Sequence, residues 1–369
     1  MKNSHKVIIL LGSFSLIFLS GIFVTVSEVF PFTLLKSINN EFNKKSSIIS
    51  YEPNDVSSLI HVTNIKLVDE TRNNLNLFLW KDENLPNRLP SNIENSFSDD
   101  RYFEIKNLES IKKITINMDY NINSIAYLFQ PTIDNNKIII YHQGHSGDFF
   151  EGKATIEYFL KKNYSVIAFS MPLLGMNNQP IIQHPQFGEI KMQSHNQLPL
   201  LKNSNFSPIK FFVEPVIVAL NYLEKHHNFD AYYMIGISGG GWSTTLVSAI
   251  DDRVNQSYSI AGSYPIFLRS DPKNFGDYEQ HDLDFYQVAN YLDLYVMSSI
   301  GNDRKHIQIF NKFDPCCFDG DAFLSYEQEI KDIVNSFNDG FFEIYLDDTH
   351  KEHIISEHAL EIIINEIIS

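Results

Sequence analysis

Residues 231–250 constrain the fold of this chain more than any other stretch, and their sequence is AYYMIGISGGGWSTTLVSAI. The apolar run that opens the stretch has the composition of a buried strand, and the small, apolar segment from Trp242 onward that of a buried helix. Between them, glycines lie two residues to either side of Ser238, in the pattern Gly-x-Ser-x-Gly. The stretch therefore predicts a strand, a sharp turn that leaves no room for flanking side chains, and a helix.

In this context the serine pattern is typical of a nucleophile elbow, in which the hydroxyl stands exposed above a sheet. The alternative is a glycine-rich turn with an ordinary capping serine. On residues 236–240 and the segments around them, the chain resembles the α/β-hydrolase family. The resemblance implies an α/β fold with a mostly parallel central sheet, antiparallel N-terminal strands and helices on both faces. It also implies a serine, an acid and a histidine in that order along the chain, together with an oxyanion hole.

Hydrophobic patterning elsewhere predicts the elements of such a sheet. Apolar and polar residues alternate, as they do in antiparallel strands, over residues 102–105, 111–118 and 124–129. From residue 137 onward apolar strands alternate with helical stretches, which favours a parallel sheet. One of these stretches, residues 285–299, is predicted to be a single helix. Before the sheet, residues 61–68 and 75–80 are predicted to be strands and residues 85–100 a loop.

Two long segments have no hydrophobic period. Residues 172–208 are rich in Gln, Asn, His and Pro, and a loop of this length in a compact domain is usually functional or disordered. Because it follows a strand of the parallel sheet, it is predicted to be a lid-like insert over the site. Residues 264–284 form a second irregular insert, acidic near its end. Its His281 and acids could bind a metal, but a solvated polar loop is the preferred interpretation, so no metal site is predicted.

The resemblance also places the oxyanion hole. One backbone N–H is expected from Gly239, the residue after the nucleophile. The other is expected from the loop after the strand at residues 137–141, which begins His-Gln-Gly-His. This run matches the family's His-Gly-Gly pattern only in part, so the second donor is left open among Gln143, Gly144 and His145. A glycine-rich strand–helix turn is the alternative.

The acid and the base are expected after the last two strands. Asp314 lies a few residues beyond the predicted strand at residues 306–310, where a carboxylate can orient an imidazole; Asp319 and Asp321 are rivals on the same loop. The loop after the predicted strand at residues 341–346 contains both His350 and His353. Spacing along the chain does not separate these two histidines, and both are retained as candidate bases.

The N-terminal sequence predicts that the protein is exported from the cytoplasm. Two lysines precede an apolar stretch at residues 7–26, which is long enough to cross a bilayer as a helix. Residues 1–30 are predicted to be an uncleaved signal-anchor, with the catalytic part outside the cytoplasm; secretion after cleavage is the alternative. Residues 31–100 are predicted to be a linker with an N-terminal β extension, and residues 101–369 the hydrolase domain.

Composition limits the remaining functions. The chain has 369 residues, 43% of them hydrophobic, and a formal charge of −16, which argues against a nucleic-acid partner. The only two cysteines are adjacent, so there is no disulfide framework. The chain is therefore predicted to be a serine hydrolase that acts on a small-molecule ester and needs no cofactor. A catalytically silent binding module and a peptidase or amidase are the alternatives, and the oligomeric state is left open.

Overall fold

The structure, a computed structural model, describes residues 55–369. The apolar stretch at residues 7–26, predicted to be a signal-anchor, lies outside them. In the part of the chain that is described, no helix combines the length and the hydrophobicity that a bilayer crossing needs. The predicted boundaries of the N-terminal segments, at residues 30 and 100, therefore remain predictions.

The described chain alternates between strands and helices through most of its length. The strands are β1 Asn92–Phe97, β2 Leu108–Asn117, β3 Asn123–Pro131, β4 Lys137–His142, β5 Ser165–Phe169, β6 Ile181–His184, β7 Gly188–Lys191, β8 Ala231–Ile237, β9 Gln256–Ile260, β10 Lys305–Asn311 and β11 Phe341–Asp347. The helices are α1 Ile65–Trp80, α2 Lys153–Lys161, α3 Glu214–His226, α4 Gly239–Ile250, α5 Leu283–Tyr286, α6 Tyr291–Ser299, α7 Glu327–Ser336 and α8 Glu357–Ile368. Strands β4, β8, β10 and β11 and helix α4 fall close to the predicted positions.

Nine strands form one sheet in the order β1-β2-β3-β5-β4-β8-β9-β10-β11. The pairs β1–β2, β2–β3 and β3–β5 are antiparallel. Every pair from β5 to β11 is parallel. The predicted mostly parallel sheet with antiparallel N-terminal strands is thus confirmed, and the carboxyl ends of six parallel strands lie along one edge.

Helices cover both faces of the sheet. Alternate residues of β4 point to opposite sides, so that Ile138 and Ile140 belong to one apolar cluster and Ile139 and Tyr141 to the other. The first cluster is closed by α1, α3, α4, α6 and α7, and the second by α2 and α8. Ser356 caps α8 by accepting a hydrogen bond from the N–H of Ala359. Burial on both faces explains why β4, β5 and β8 are almost continuously apolar.

The two strands predicted at residues 61–68 and 75–80 are wrong, because this region forms the single helix α1. The buried residues Val68, Leu75 and Leu79 share one face at helical spacing. Asn64 caps the helix by accepting a hydrogen bond from the N–H of Leu67. Tertiary burial of this face favours a helix over the two strands predicted from the sequence.

Three further segments differ from their predicted secondary structure. Residues 92–97, predicted to be loop, form the edge strand β1, whose largely polar sequence carries little strand signal. Residues 102–105, predicted to be a strand, instead begin with buried Tyr102, the last residue of a short 3₁₀ turn, and continue without forming a strand. The helix predicted over residues 285–299 is two helices, because Asn290 forms a capping box that starts α6.

The insert at residues 172–208 is folded onto the body of the protein. It contains the hairpin β6–β7 and the 3₁₀ segment His195–Leu201. Side chains of Ile182, Met192 and Leu198 join the larger apolar cluster. The insert is therefore anchored by its own core contacts, and a lid function stays a prediction.

Candidate active site

Ser238 occupies a strained turn between β8 and α4. Its backbone angles are φ 55° and ψ −127°, a combination that residues other than glycine rarely adopt. The turn is held by two backbone hydrogen bonds, from the N–H of Ser238 to Ile260 (2.9 Å) and from the N–H of Trp242 to Ser238 (3.0 Å). The serine thus lies in the strand–turn–helix context that its sequence predicts.

The glycines around the serine are required by close backbone approach. A Cβ at Gly236 would lie 2.1 Å from the carbonyl oxygen of Gly240, and a Cβ at Gly240 would lie 2.1 Å from that of His142. A Cβ at Gly144 would lie 2.7 Å from Cβ of Ser238 and 3.4 Å from its Oγ. The loop after β4 therefore lies directly against the serine.

Backbone hydrogen bonds align the carboxyl ends of the last four parallel strands. The N–H of Ser238, after β8, donates to the end of β9; the N–H of Ala261 donates to Ile309 in β10 (2.8 Å). The N–H of Lys312, after β10, donates to Asp347 at the end of β11 (2.8 Å). The loops that carry the serine, the predicted acid and the predicted histidines all leave this edge of the sheet.

Asp314 and His353 form a direct pair at this edge. Nδ1 of His353 lies 2.7 Å from Oδ2 of Asp314. The other oxygen, Oδ1, accepts hydrogen bonds from the N–H groups of Cys316 (2.8 Å) and Cys317 (3.3 Å). Nε2 of His353 is buried and has no hydrogen-bond partner among residues 55–369. The ring is therefore oriented by the carboxylate and leaves one nitrogen available.

The rival residues have other partners. Nε2 of His350 lies 3.3 Å from the carboxylate of Asp347, three residues earlier in the chain. Asp319 forms an ion pair with Lys273 at 2.7 Å. Asp321 lies at the start of a short 3₁₀ turn. Of the candidates left open by the sequence, only Asp314 and His353 contact each other.

Electrostatics strengthen the Asp314–His353 pair. Burial alone would lower the pKa of His353, but the hydrogen bond and negative charge of Asp314 outweigh it and raise that pKa above its usual value. Burial would likewise raise the pKa of Asp314, and the hydrogen bond with His353 instead lowers it. A neutral His353 can accept a proton, and the carboxylate stabilises the imidazolium that results.

Backbone hydrogen bonding in the loop after β4 excludes one of the three candidate oxyanion donors. The N–H of Gln143 donates to the carbonyl of Phe169 (2.9 Å), so it is not available to a ligand. Gly144 and His145 remain. The imidazole of His145 lies against the backbone of Gly239, where a Cβ would be 2.4 Å from its Cε1. Gly239, Gly144 and His145 are thus neighbours around the serine.

A second group of polar residues, which sequence reasoning missed, meets at His145. We call His145, His195, Asp277 and Glu279 the insert cluster. Nε2 of His145 lies 2.9 Å from Oε1 of Glu279 and 3.2 Å from Nδ1 of His195. Glu279 is completely buried, although its segment was expected to be a solvated loop. No local pattern identifies these residues, because they come from three separate irregular segments.

The insert cluster contains strongly shifted groups. Burial disfavours a charged His195, but the carboxylates of Asp277 and Glu279, each 3.5 Å from its Nδ1, outweigh it and raise its pKa to about 9. Burial also opposes ionisation of Glu279, yet its contacts with His145 and His195 lower its pKa well below the usual range. His195 and Glu279 thus stabilise each other's charged form.

The adjacent cysteines lie on the loop of the predicted acid. Their sulfurs are 2.8 Å apart; Cys316 is exposed and Cys317 is buried. The hydrogen bond from Cys317 lowers the pKa of Cys316 to about 6. Both are free thiols whose backbone N–H groups help to hold Asp314.

Several similar solved structures are esterases. An acetyl xylan esterase from a Paenibacillus species aligns with a TM-score of 0.55 and 14% identity, over 85% of this chain and 97% of that one. An acetyl xylan esterase from a Thermoanaerobacterium species aligns with a TM-score of 0.55 and 13% identity, over 82% of this chain and 92% of that one. A glucuronoyl esterase from Solibacter usitatus aligns with a TM-score of 0.54 and 14% identity, over 82% of this chain and 91% of that one.

No protein-family model and no curated protein sequence matches the chain. At identities of 13–14%, the likeness to these structures establishes the fold. Together with the nine-stranded, mostly parallel sheet, it confirms the predicted fold class, an α/β-hydrolase fold.

Proposed function

We propose that this protein is a serine hydrolase that cleaves carboxylic esters through an acyl-enzyme intermediate. The observation that carries the proposal is the pair of Asp314 with His353, which has a free Nε2 and lies at the sheet edge where the strained turn holds Ser238. The esterase activities named for the structurally similar proteins agree with it.

In the acylation step Ser238, His353 and Asp314 act together with the backbone N–H groups of the oxyanion hole. Oγ of Ser238 attacks the ester carbonyl while its proton passes to Nε2 of His353. The Nδ1–H of His353 donates to Asp314, which keeps the ring in the correct tautomer and stabilises the imidazolium. The tetrahedral oxyanion accepts hydrogen bonds from the N–H of Gly239 and from that of Gly144 or His145. The imidazolium then protonates the departing alcohol, leaving an acyl ester on the serine.

Deacylation repeats the chemistry with water. His353 removes a proton from the water as it attacks the acyl carbonyl, and the same backbone N–H groups hold the second oxyanion. Collapse breaks the bond to Oγ of Ser238, which takes back the proton from His353. The carboxylic acid leaves and the free enzyme is restored, with no change of oxidation state.

A fluorophosphonate probe tests the nucleophile. The folded protein is expected to be labelled on Ser238, identified by mass spectrometry of the modified peptide. Ser238→Ala should abolish labelling, whereas Ser243→Ala, which changes a buried serine in α4, should leave it intact. A folded wild-type protein that is not labelled would count against the proposal and favour a silent binding module.

A substrate panel separates the enzymatic alternatives. We expect turnover of p-nitrophenyl acetate and of acetylated sugars, the latter included because of the acetyl xylan esterases with a similar fold. The matching p-nitroanilides should react much more slowly. A preference for the anilides would instead support an amidase or peptidase on the same three residues.

We also propose that residues 7–26 anchor the protein in a membrane with the hydrolase domain outside the cytoplasm. The support is the length of the apolar stretch and the lysines that precede it. The full chain is expected in the membrane fraction after an alkaline carbonate wash, and deletion of residues 1–30 should release it. Recovery of the full chain as a shortened soluble form would indicate cleavage instead.

A further inference from the structure

The insert cluster brings metal-binding side chains together from three parts of the chain. His145 follows β4, His195 lies in the insert at residues 172–208, and Asp277 lies in the insert at residues 264–284. One donor atom from each of these three residues lies within 4.8 Å of the other two. Glu279 adds a carboxylate that contacts both imidazoles.

The distances between the donor atoms are those of ligands around one small cation. Zinc–nitrogen and zinc–oxygen bonds of about 2.0–2.2 Å place neighbouring ligands of a tetrahedral site about 3.3–3.6 Å apart. Nε2 of His145 and Nδ1 of His195 are 3.2 Å apart, and each lies 3.5 Å from Oδ2 of Asp277. The Glu279 carboxylate lies 2.9 Å from His145 and 3.5 Å from His195.

His195 presents the correct nitrogen to the cluster. Nε2 of His195 lies 2.8 Å from the carbonyl oxygen of Pro172, to which it donates its proton. In the neutral ring this contact leaves the lone pair on Nδ1, which faces the cluster. A backbone carbonyl that accepts from the remote nitrogen is the usual arrangement behind a metal-bound histidine.

A cation would also satisfy a buried group that has no other partner. Glu279 is completely buried, and its Oε2 has no hydrogen-bond partner within residues 55–369. The oxygen lies 3.5 Å from Nδ1 of His195, on the side of the other donors. Two carboxylates and two neutral imidazoles together balance the charge of one divalent ion.

We propose that His145, His195 and Asp277 bind a divalent transition-metal ion, with Glu279 completing the coordination. Two imidazoles with carboxylates suit zinc, whereas calcium and magnesium prefer sites made of oxygen ligands alone. The ion would fasten both inserts to the loop after β4. Because the His145 ring lies against Gly239, it would also hold this loop beside the nucleophile.

Zinc titration of the purified full chain, after treatment with a chelator, tests the site. Isothermal calorimetry is expected to give about one tight equivalent of Zn²⁺, and Zn²⁺ should raise the melting temperature. Co²⁺ should give the visible absorption of a site with nitrogen and oxygen ligands. His195→Gln and Asp277→Asn should each weaken zinc binding by about a hundredfold or more, since loss of an outer partner alone costs 10–100-fold.

Two controls make the outcome decisive. His281→Gln changes a histidine of the same insert that lies outside the cluster, so zinc affinity should not change. Ser238→Ala should retain full zinc binding while losing esterase activity, which separates this site from the proposed function. If His195→Gln fails to fold, Asp277→Asn decides, because that side chain is 41% exposed. Absence of saturable binding by the wild-type protein, or equal binding by Asp277→Asn, would overturn the proposal.

Discussion

Two groups of histidines and carboxylates lie in loops that leave the sheet edge carrying Ser238, and they are built differently. The Asp314–His353 pair joins loops that leave the neighbouring strands β10 and β11. The insert cluster joins one strand-end loop to two irregular inserts. The pair has one imidazole with a free nitrogen, whereas the cluster packs two imidazoles against two carboxylates. The first arrangement suits proton transfer, and the second suits holding segments together.

The largest expected effect separates the two histidines of the last loop. His353→Ala should lower kcat for ester hydrolysis by about 10⁵–10⁶, as loss of the base does in serine hydrolases. His350→Ala should change kcat only a few-fold, because His350 pairs with Asp347 and not with Asp314. Steady-state kinetics on p-nitrophenyl acetate measures both. A larger loss for His350→Ala would reverse the assignment of the base.

Changing the carboxylate of the pair should have a somewhat smaller effect. Asp314→Asn is expected to lower kcat by about 10⁴, because the amide would favour the wrong tautomer of His353. Asp319→Asn is the matched control: its side chain pairs with Lys273, so activity should stay within about twofold. Equal losses in the two variants would show that Asp314 has no special role.

An acid-to-amide change in the insert cluster should lower the stability of the fold more than the corresponding change of Asp314 does. Glu279→Gln removes a buried charge that contacts two imidazoles, and it should lower the free energy of unfolding by about 3–5 kcal/mol. Asp314→Asn should lower it less, since its side chain keeps its backbone donors. Thermal unfolding of both chelator-treated variants measures the difference. A Glu279→Gln variant as stable as the wild type would contradict the distinction between the two groups.

The smallest expected effect is a shift in pH dependence. Catalysis needs neutral His353, and Asp314 raises the pKa of that imidazole above 6.5. The ring therefore stays protonated to a higher pH, and kcat/KM should fall as the pH drops through a midpoint above 6.5. An ester whose charge is constant from pH 5 to 9 gives this profile. A midpoint below 6.5 would show that the carboxylate does not stabilise the imidazolium.

Much of the candidate site could be predicted because the sheet restricts where its parts lie. Parallel strands bring their carboxyl ends to one edge, so a serine after β8, an acid after β10 and histidines after β11 are expected to be neighbours. The errors fall where this constraint is absent. Helix α1 is not part of the sheet, and burial of one helical face explains why it forms in place of the two predicted strands.

The sequence by itself determined the strand–serine–helix turn and the mostly parallel sheet, because these follow from hydrophobic period and glycine spacing. The two loops proposed to supply the acid and the base were expected from the resemblance to the α/β-hydrolase family. Only the tertiary structure decided that His353, and not His350, faces Asp314, since loop conformation sets the direction of each ring. It alone revealed that His195, Asp277 and Glu279 meet at His145. Inserts without a hydrophobic period do not indicate, from their own sequence, which residues they will contact.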